Sequence, residues 1–233
     1  NYGLYVYDNG AFNRVAETYN LGVSTINAMY EDDKDQLWLA SSSGIYYLTS
    51  DGVKMVDDEG ISGYNIGNIS GYDGTIYATA NNDVLIRVDE NGEITVTSKS
   101  SYGIDDINSL YIDENGTRYY GSAGYSILTI NSKGKVGVIS TGSLHGINKI
   151  YNDGEKIWIL ADDGVGYITS GNKIVNVESL RFNESMSDMI KDFEGNYWFT
   201  SYRKGLLFLE QSKFQNVTMK YGIDSSIAVS YTH

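Results

Sequence analysis

Three observations predict an all-β fold, a β-propeller of four-stranded antiparallel blades. First, the segments INAMYEDDKDQLWLASSSGIYYL, INSLYIDENGTRYYGSAGYSILTI, INKIYNDGEKIWILADDGVGYI and MSDMIKDFEGNYWFTSYRKGLLFL share one layout, with IGNISGYDGTIYATANNDVLIRV as a looser copy. Second, the aromatic residue after the turn in each is Trp38, Tyr77, Tyr119, Trp158 and Trp198, in steps of 39, 42, 39 and 40 residues. Third, each unit divides into short runs rich in Tyr, Ile, Val and Thr, bounded by Asp, Asn, Ser and Gly. That is the signature of strands joined by tight turns, and helical spacing is sustained nowhere. Four short strands in a period of roughly 40 residues make one propeller blade.

Taken in order, NYGLYVYDNGAFNRV matches the third and fourth strands of a unit, Gly3 standing 41 residues before Gly44, and forms a partial blade over 1–20. The next blade, about 21–60, reads as strands Asn27–Glu31, Leu37–Ser41, Ile45–Leu48 and Val53–Val56, with an acidic turn at Asp32 to Asp35. The same frame predicts blades at about 61–100, 101–141, 142–180 and 181–220, and YGIDSSIAVSYTH begins another over 221–233. We therefore expect one domain over 1–233, with five full blades and a sixth made from both chain ends. Such closure would remove exposed sheet edges. Seven blades are expected instead if the chain belongs to a longer array. Asn at position 1 and the absence of a signal-peptide pattern read as a piece of a longer protein.

The aligned residues have physical roles. DENG at Asp89 to Gly92 and Asp113 to Gly116, and DFEG at Asp192 to Gly195, supply the local hydrogen bonding and positive φ that tight turns need. The aromatic that follows can fill the space between neighbouring blades. Gly44, Gly124, Gly164 and Gly205 precede the third strand, where a sharp turn or close approach favours a residue without Cβ. The acidic turns lack the spacing of a calcium loop.

Composition narrows the function classes. With 17 Lys+Arg against 30 Asp+Glu the net charge is −13, which argues against nucleic acid or anionic lipid as a partner. Without Cys there is no disulfide framework, thiolate metal site or cysteine nucleophile. No apolar run approaches the roughly 18 to 20 residues that span a bilayer, so no direct membrane contact is expected of this stretch.

The pattern carried by Ile26, Asn27, Trp38 and Gly44, by Ile107, Asn108, Asp113, Gly116 and Gly124, by Ile147, Asn148, Asp153, Trp158 and Gly164, and by Asp192, Gly195, Trp198 and Gly205 resembles the two-component regulator propeller repeat. The resemblance covers essentially the whole chain. It implies the extracytoplasmic sensory part of a bacterial membrane signalling protein, coupled to a histidine kinase or diguanylate cyclase and itself without catalysis. It also implies an oligosaccharide as a plausible ligand class. Tyr119 in place of the usual Trp and the degenerate unit around Tyr77 depart from the pattern. A second stretch, Gly71 to Val96, is similar to a repeat of the streptogramin lyase type, whose chemistry uses a His general base and a divalent metal. This chain has only His145 and His233, and a lone imidazole has no partner in the sequence to orient it.

In a propeller, the loops leading into the first strand and those joining the second to the third gather on one face, where function is usually carried. The leading loops hold Tyr19, Tyr64, Tyr102, His145, Phe182 and Tyr221, rings that either stack on a ligand or cover the blade junction. Two residues past the aligned Ile or Met, the first strand reads Ala28, Asn68, Ser109, Lys149 and Asp188, which suits a wet axial channel beside buried Met29, Ile69, Leu110, Ile150 and Met189. The loop between second and third strands reads Ser42, Asn82, Ala123, Asp162 and Arg203. Lys149 and Arg203 are cations suited to a carboxylate or sulfate. The candidate ligand-binding residues are thus Tyr64, Asn68, Asn82, Tyr102, Ser109, His145, Lys149, Asp162, Asp188 and Arg203. No Ser-His-Asp order, phosphate loop or metal-ligand cluster is discernible, so no catalytic residue, metal or cofactor is assigned. The partners expected are a small molecule or oligosaccharide and, through the parent protein, a second copy. A streptogramin lyase-like enzyme and a protein-interaction scaffold are the alternatives.

Overall fold

In the computed structural model, residues 4–15, 25–49, 52–56, 60–177 and 183–210 are described. A first hairpin pairs β1 (Tyr5–Asp8) with β2 (Ala11–Arg14). Blade I follows as β3 (Ile26–Glu31), β4 (Leu37–Ser41), β5 (Gly44–Thr49) and β6 (Gly52–Met55). Blade II is β7 (Ile66–Tyr72), β8 (Thr75–Ala80), β9 (Val84–Val88) and β10 (Ile94–Ser98); blade III is β11 (Ile107–Ile112), β12 (Arg118–Ser122), β13 (Ser126–Ile130) and β14 (Val136–Ser140). Blade IV is β15 (Ile147–Asn152), β16 (Ile157–Ala161), β17 (Val165–Ile168) and β18 (Ile174–Asn176), and blade V has β19 (Met186–Lys191), β20 (Tyr197–Ser201) and β21 (Gly205–Leu209). Each sheet is a meander in which every strand pairs with the next in the chain, so the fold is an all-β propeller. The expected fourth strand of blade V and the strand expected within 221–233 lie outside the described residues, as do Tyr19, Phe182, Tyr221 and His233.

The innermost strands stand side by side, β3 against β7, β7 against β11, β11 against β15 and β15 against β19. The core lies between blades rather than within them. Ile45, Ile66, Ile76 and Ile86 fill the junction of blades I and II, and Leu85, Ile107, Tyr120 and Leu128 that of II and III. Ile127, Ile147, Ile150 and Ile159 fill the junction of III and IV, and Trp158, Met186, Met189 and Phe199 that of IV and V. Leu4, before β1, packs with Leu39 and Ile26 on the other face of blade I. Met29, expected to be buried, is 55% exposed, because among the described residues only the first hairpin stands on that side of blade I. Leu110 is half-buried rather than buried, while Ile69, Ile150 and Met189 are buried as expected.

All five inner strands carry a register shift at the same place, the residue after the aligned Ile or Met: Asn27, Gly67, Asn108, Asn148 and Ser187. A bulge of this kind leaves one residue out of the ladder and re-aims the side chains around it. In blades I to IV they reach the next blade, whereas Ser187 meets Thr200 of its own blade V. Asn27 Nδ2 donates to the Ile66 carbonyl at 2.7 Å, Asn68 Nδ2 to the Asn108 carbonyl at 3.2 Å, Ser109 Oγ to the Ile147 carbonyl at 3.0 Å, and Asn148 Nδ2 to the Met186 carbonyl at 3.1 Å. Each of these junctions is thus latched by a side-chain donor on a peptide oxygen that the inner strand would otherwise leave unpaired.

At the opposite end of the blades, most hairpin turns are organised by one Asp or Asn whose Oδ1 accepts two backbone N–H groups of its own turn. Asp32, Asp89, Asp113, Asn131, Asp153 and Asp192 all do so. The other carboxylate oxygen takes the ring that follows. The indole N–H groups of Trp38, Trp158 and Trp198 donate to Asp32, Asp153 and Asp192 at 2.8–2.9 Å, and the Tyr119 hydroxyl donates to Asp113 at 3.2 Å. Trp38, Tyr119 and Trp158 lie in blade junctions, as the sequence predicts, whereas Trp198 packs on Phe208 of its own blade; Tyr77, lacking such a turn partner, is covered by the Arg118 guanidinium of blade III, 4.6 Å from its ring centre.

Asp153 also accepts from the Tyr197 hydroxyl of blade V at 2.6 Å. Partial burial pushes its carboxyl up, but donation from Tyr197, Trp158 and the two turn amides outweighs this and holds it at about 2. A carboxyl lower in the folded than in the unfolded chain gives stability that is complete above its unfolded value, near 4, and is lost as pH falls through its folded value. Asp153→Asn is therefore expected to lower the unfolding free energy at pH 7 by roughly 1–3 kcal/mol, and to flatten the fall of stability between about pH 4 and pH 2. Urea unfolding at stepped pH checks both; an unchanged acid limb in the variant would remove Asp153 as its source.

Candidate functional site

The face opposite the acidic turns carries the loops leading into β7, β11 and β15 and those joining the second to the third strand. Most of the residues expected to bind a ligand there are engaged with the next blade. Asn68 is half-buried and bonds Thr79 Oγ1 as well as the Asn108 carbonyl. Ser109, expected on a wet channel, is 2% exposed, because its hydroxyl is turned into the junction with blade IV. Asn82 donates from blade II to Asn108 Oδ1 at 3.3 Å. Asp162 accepts from Asn148 Nδ2 and from the Ser185 hydroxyl, both at 2.9 Å, tying blade IV to V. Lys149 and Asp188 pair across the same junction at 3.5 Å. Tyr64 packs on the core between blades I and II, and Tyr102 on that between II and III. Both rings therefore take the junction-covering role weighed for them above. His145 and Arg203 remain exposed.

His145 is the point at which a site assembles. Its ring stands 4.9 Å from that of Tyr125, which is 55% exposed in the β12–β13 loop. The two rings wall an open depression of about 470 Å³, completed by Lys99, Ile104, Asp105, Asp106, Ala123 and Gly124. Three blades meet here. The 3-10 turn Lys99–Ser101 follows β10 of blade II, capped by Ser98 Oγ, and sends Lys99 to the Asp106 carboxylate and, at 3.8 Å, to Asp83. The hydrogen bond to Asp106, with the charges of Asp106, Asp83 and Asp105, raises the Lys99 ammonium above its ordinary value against the opposing cost of desolvation, so it stays a cation.

Backbone bonds hold the loops in place. Ala123 N donates to the Asp106 carbonyl at 2.6 Å, Gly146 N to the Gly124 carbonyl at 3.0 Å, and Asp162 N to the His145 carbonyl at 2.9 Å. The Asp105 carboxylate lies directly over Gly124, where a Cβ would collide with it. A side chain at position 124 would require the exposed Asp105 carboxylate to turn away from this place.

The arrangement sets two rings beside one carboxylate, Asp105, that is in no ion pair among the described residues, and a second, Asp106, neutralised by Lys99. Such a surface offers an apolar stacking face and hydrogen-bond acceptors side by side. Among the described residues no side chain hydrogen-bonds the His145 imidazole, and no group of three or more His, Cys, Asp or Glu is arranged to hold a metal ion. Tyr125, Asp105 and Lys99 were not singled out by the sequence. The signal available was the break in repetition: an aromatic after Gly124, opposite an Asp-Asp pair that no other unit has before its first strand.

No family model matches the chain, and no curated protein matches it. Among solved structures, it is similar to an extracellular domain described as that of the hybrid two component system BT3049 from B. thetaiotaomicron, with a TM-score of 0.70 and 14% identity over 89% of this chain and 31% of that one. It is similar also to virginiamycin B lyase from Staphylococcus aureus, with a TM-score of 0.62 and 14% identity over 78% of this chain and 68% of that one. PorZ, a bacterial surface component of the type-IX secretion system of Porphyromonas gingivalis, gives a TM-score of 0.64 and 14% identity over 88% of this chain and 36% of that one. The chain thus spans about a third of the length of the first of these. At such identity the shared feature is the fold, found in both sensory and enzymatic proteins.

Ser109→Ala is expected to act on stability rather than on binding, because it orphans the Ile147 carbonyl in a buried junction, at a cost of roughly 1–2 kcal/mol. Denaturant midpoints measured alongside ligand titration check this; a weaker ligand affinity at unchanged stability would return Ser109 to the binding surface.

Proposed function

We propose that the chain is the extracytoplasmic, ligand-binding propeller of a bacterial membrane-bound signalling protein of the histidine kinase or diguanylate cyclase type, non-catalytic in itself, with oligosaccharides as its ligand class. The observation that carries the reading is the exposed Tyr125–His145 ring pair beside the Asp105 carboxylate in an open depression. A pyranose has an apolar C–H face for the rings and hydroxyl donors for the carboxylate. The fold likeness to a two component system's extracellular domain supports the setting.

Signal transfer follows from where the depression lies. Its walls come from blades II, III and IV, and the loops are bonded to one another across the junctions, so a ligand touching all three favours one spacing of the blades over another. A population shift of this kind needs only a difference in affinity between two packings, passed to an output domain.

The enzymatic alternative rests on the likeness to virginiamycin B lyase. It requires that His145 act as a general base, yet its ring meets Tyr125, with no carboxylate on its nitrogens among the described residues.

Calorimetric titration with a panel of neutral and acidic oligosaccharides tests the proposal. Tyr125→Ala is expected to weaken binding by about tenfold through lost stacking, with Arg203→Ala, away from the depression, near wild type. Equal affinity in Tyr125→Ala would sink the site, and metal-dependent turnover that disappears in His145→Ala would replace the sensory reading with the enzymatic one.

A further inference from the structure

A second surface lies at the perimeter, between the outermost strands of blades III and IV. There β14 pairs only with β13, and β18 only with β17, so each has one edge without a strand partner among the described residues. Between them runs a groove of about 750 Å³, continued past Gly137 and Asn172 by a further depression of about 360 Å³ that reaches Lys135.

Two backbone bonds fix which groups of β14 face that groove. Thr141 N donates to the Tyr125 carbonyl at 2.9 Å and Asn131 N to the Lys135 carbonyl at 3.0 Å. In an antiparallel ladder such pairs recur at every second residue, so Gly137 and Ile139 turn their peptide groups inward to β13. The N–H and C=O groups of Val136, Val138 and Ser140 therefore point outward, away from β13, along the rim of the groove. The edge carries none of the usual blocks to pairing: VGVIS has no charge and no proline. Val136 and Val138 are 47% and 58% exposed.

Charge identifies the occupant. In a chain of net charge −13, neither part of the groove is lined by a single Asp or Glu, and both parts hold a lysine, Lys135 in one and Lys173 in the other. Neither ammonium group is in an ion pair among the described residues. We propose that this groove binds an extended acidic peptide segment, which adds as a strand to the free edge of β14 and sets its carboxylates on Lys135 and Lys173. Main-chain bonds supply the affinity and side chains the choice of partner, the mode known as β-augmentation. The five residues of β14 match a segment about 17 Å long.

The test uses the whole chain and three fluorescein-labelled peptides of roughly eight residues, long enough to cover the edge: valine alternating with glutamate, valine alternating with lysine, and the glutamate peptide with a central proline. Fluorescence anisotropy is expected to show saturable binding of the glutamate peptide, about tenfold tighter than the lysine peptide. The Lys135→Glu/Lys173→Glu variant is expected to reverse that order. Val138→Pro removes an outward N–H while leaving the bonds to β13, and is expected to weaken binding about fivefold. Should that variant fail to fold, the charge-reversal variant and the proline-containing peptide carry the test. Equal binding of the acidic and basic peptides, or of the proline-containing one, would overturn the proposal. A concentration-dependent dimer in light scattering that the acidic peptide does not dissolve would assign the edge to a second copy of the chain instead.

Discussion

The fold depends on one recurring interaction: at four of the five described inner strands, a side chain at or beside the bulge donates a hydrogen bond to a peptide oxygen of the following blade. Between blades, apolar contact is non-directional, and Ile, Leu and Met pack over a range of spacings. The latches from Asn27, Asn68, Ser109 and Asn148 supply the direction. They also satisfy carbonyls that would otherwise be costly to leave unpaired beside the core. With Asp-centred turns gripping the rings of blades I, III and IV at the opposite end, those blades are held at both ends and packed in the middle. Each pin joins only neighbours, so stability is distributed along the series in the manner of repeat proteins.

How much of this was legible in the sequence differs by level. The period of the aromatic residues and the turn chemistry around Asp32, Asp113, Asp153 and Asp192 were readable, because both are local: strand, turn and ring lie within a few residues of one another. Strand limits in blade I agree with the structure to within a residue. The bulge was not legible. Asn27, Asn108 and Asn148 were visible as a repeated letter, but their partners lie in a neighbouring blade, the following one for Asn27 and Asn148 and the preceding one for Asn108, and no local pattern announces contacts across 26 to 39 residues.

The candidate site was legible only in part, for a related reason: the variation at Asn68, Ser109, Lys149 and Asp188 that marks them in the sequence coincides in the structure with bonds that fasten one blade to the next. Of the sequence candidates, His145 alone lies on the depression, and its companion Tyr125 stands two residues from the loop position compared across units. Rings facing solvent on the loop face and bare peptide groups at the rim arise from the same geometry. Blades that converge on an axis splay outward, so one protein presents a shallow, ring-walled basin at the loops and an unfilled wedge at the perimeter.

The acceptor in every latch is a carbonyl of the main chain, which all twenty residue types possess. Only the donor is written in the side chains, and it shifts by one position between Asn27 and Asn68 and changes type at Ser109 without disturbing the junction. Units fastened in this way can drift apart in composition while their architecture is retained. Kinship among such chains is then kept in shape long after it has faded from the letters.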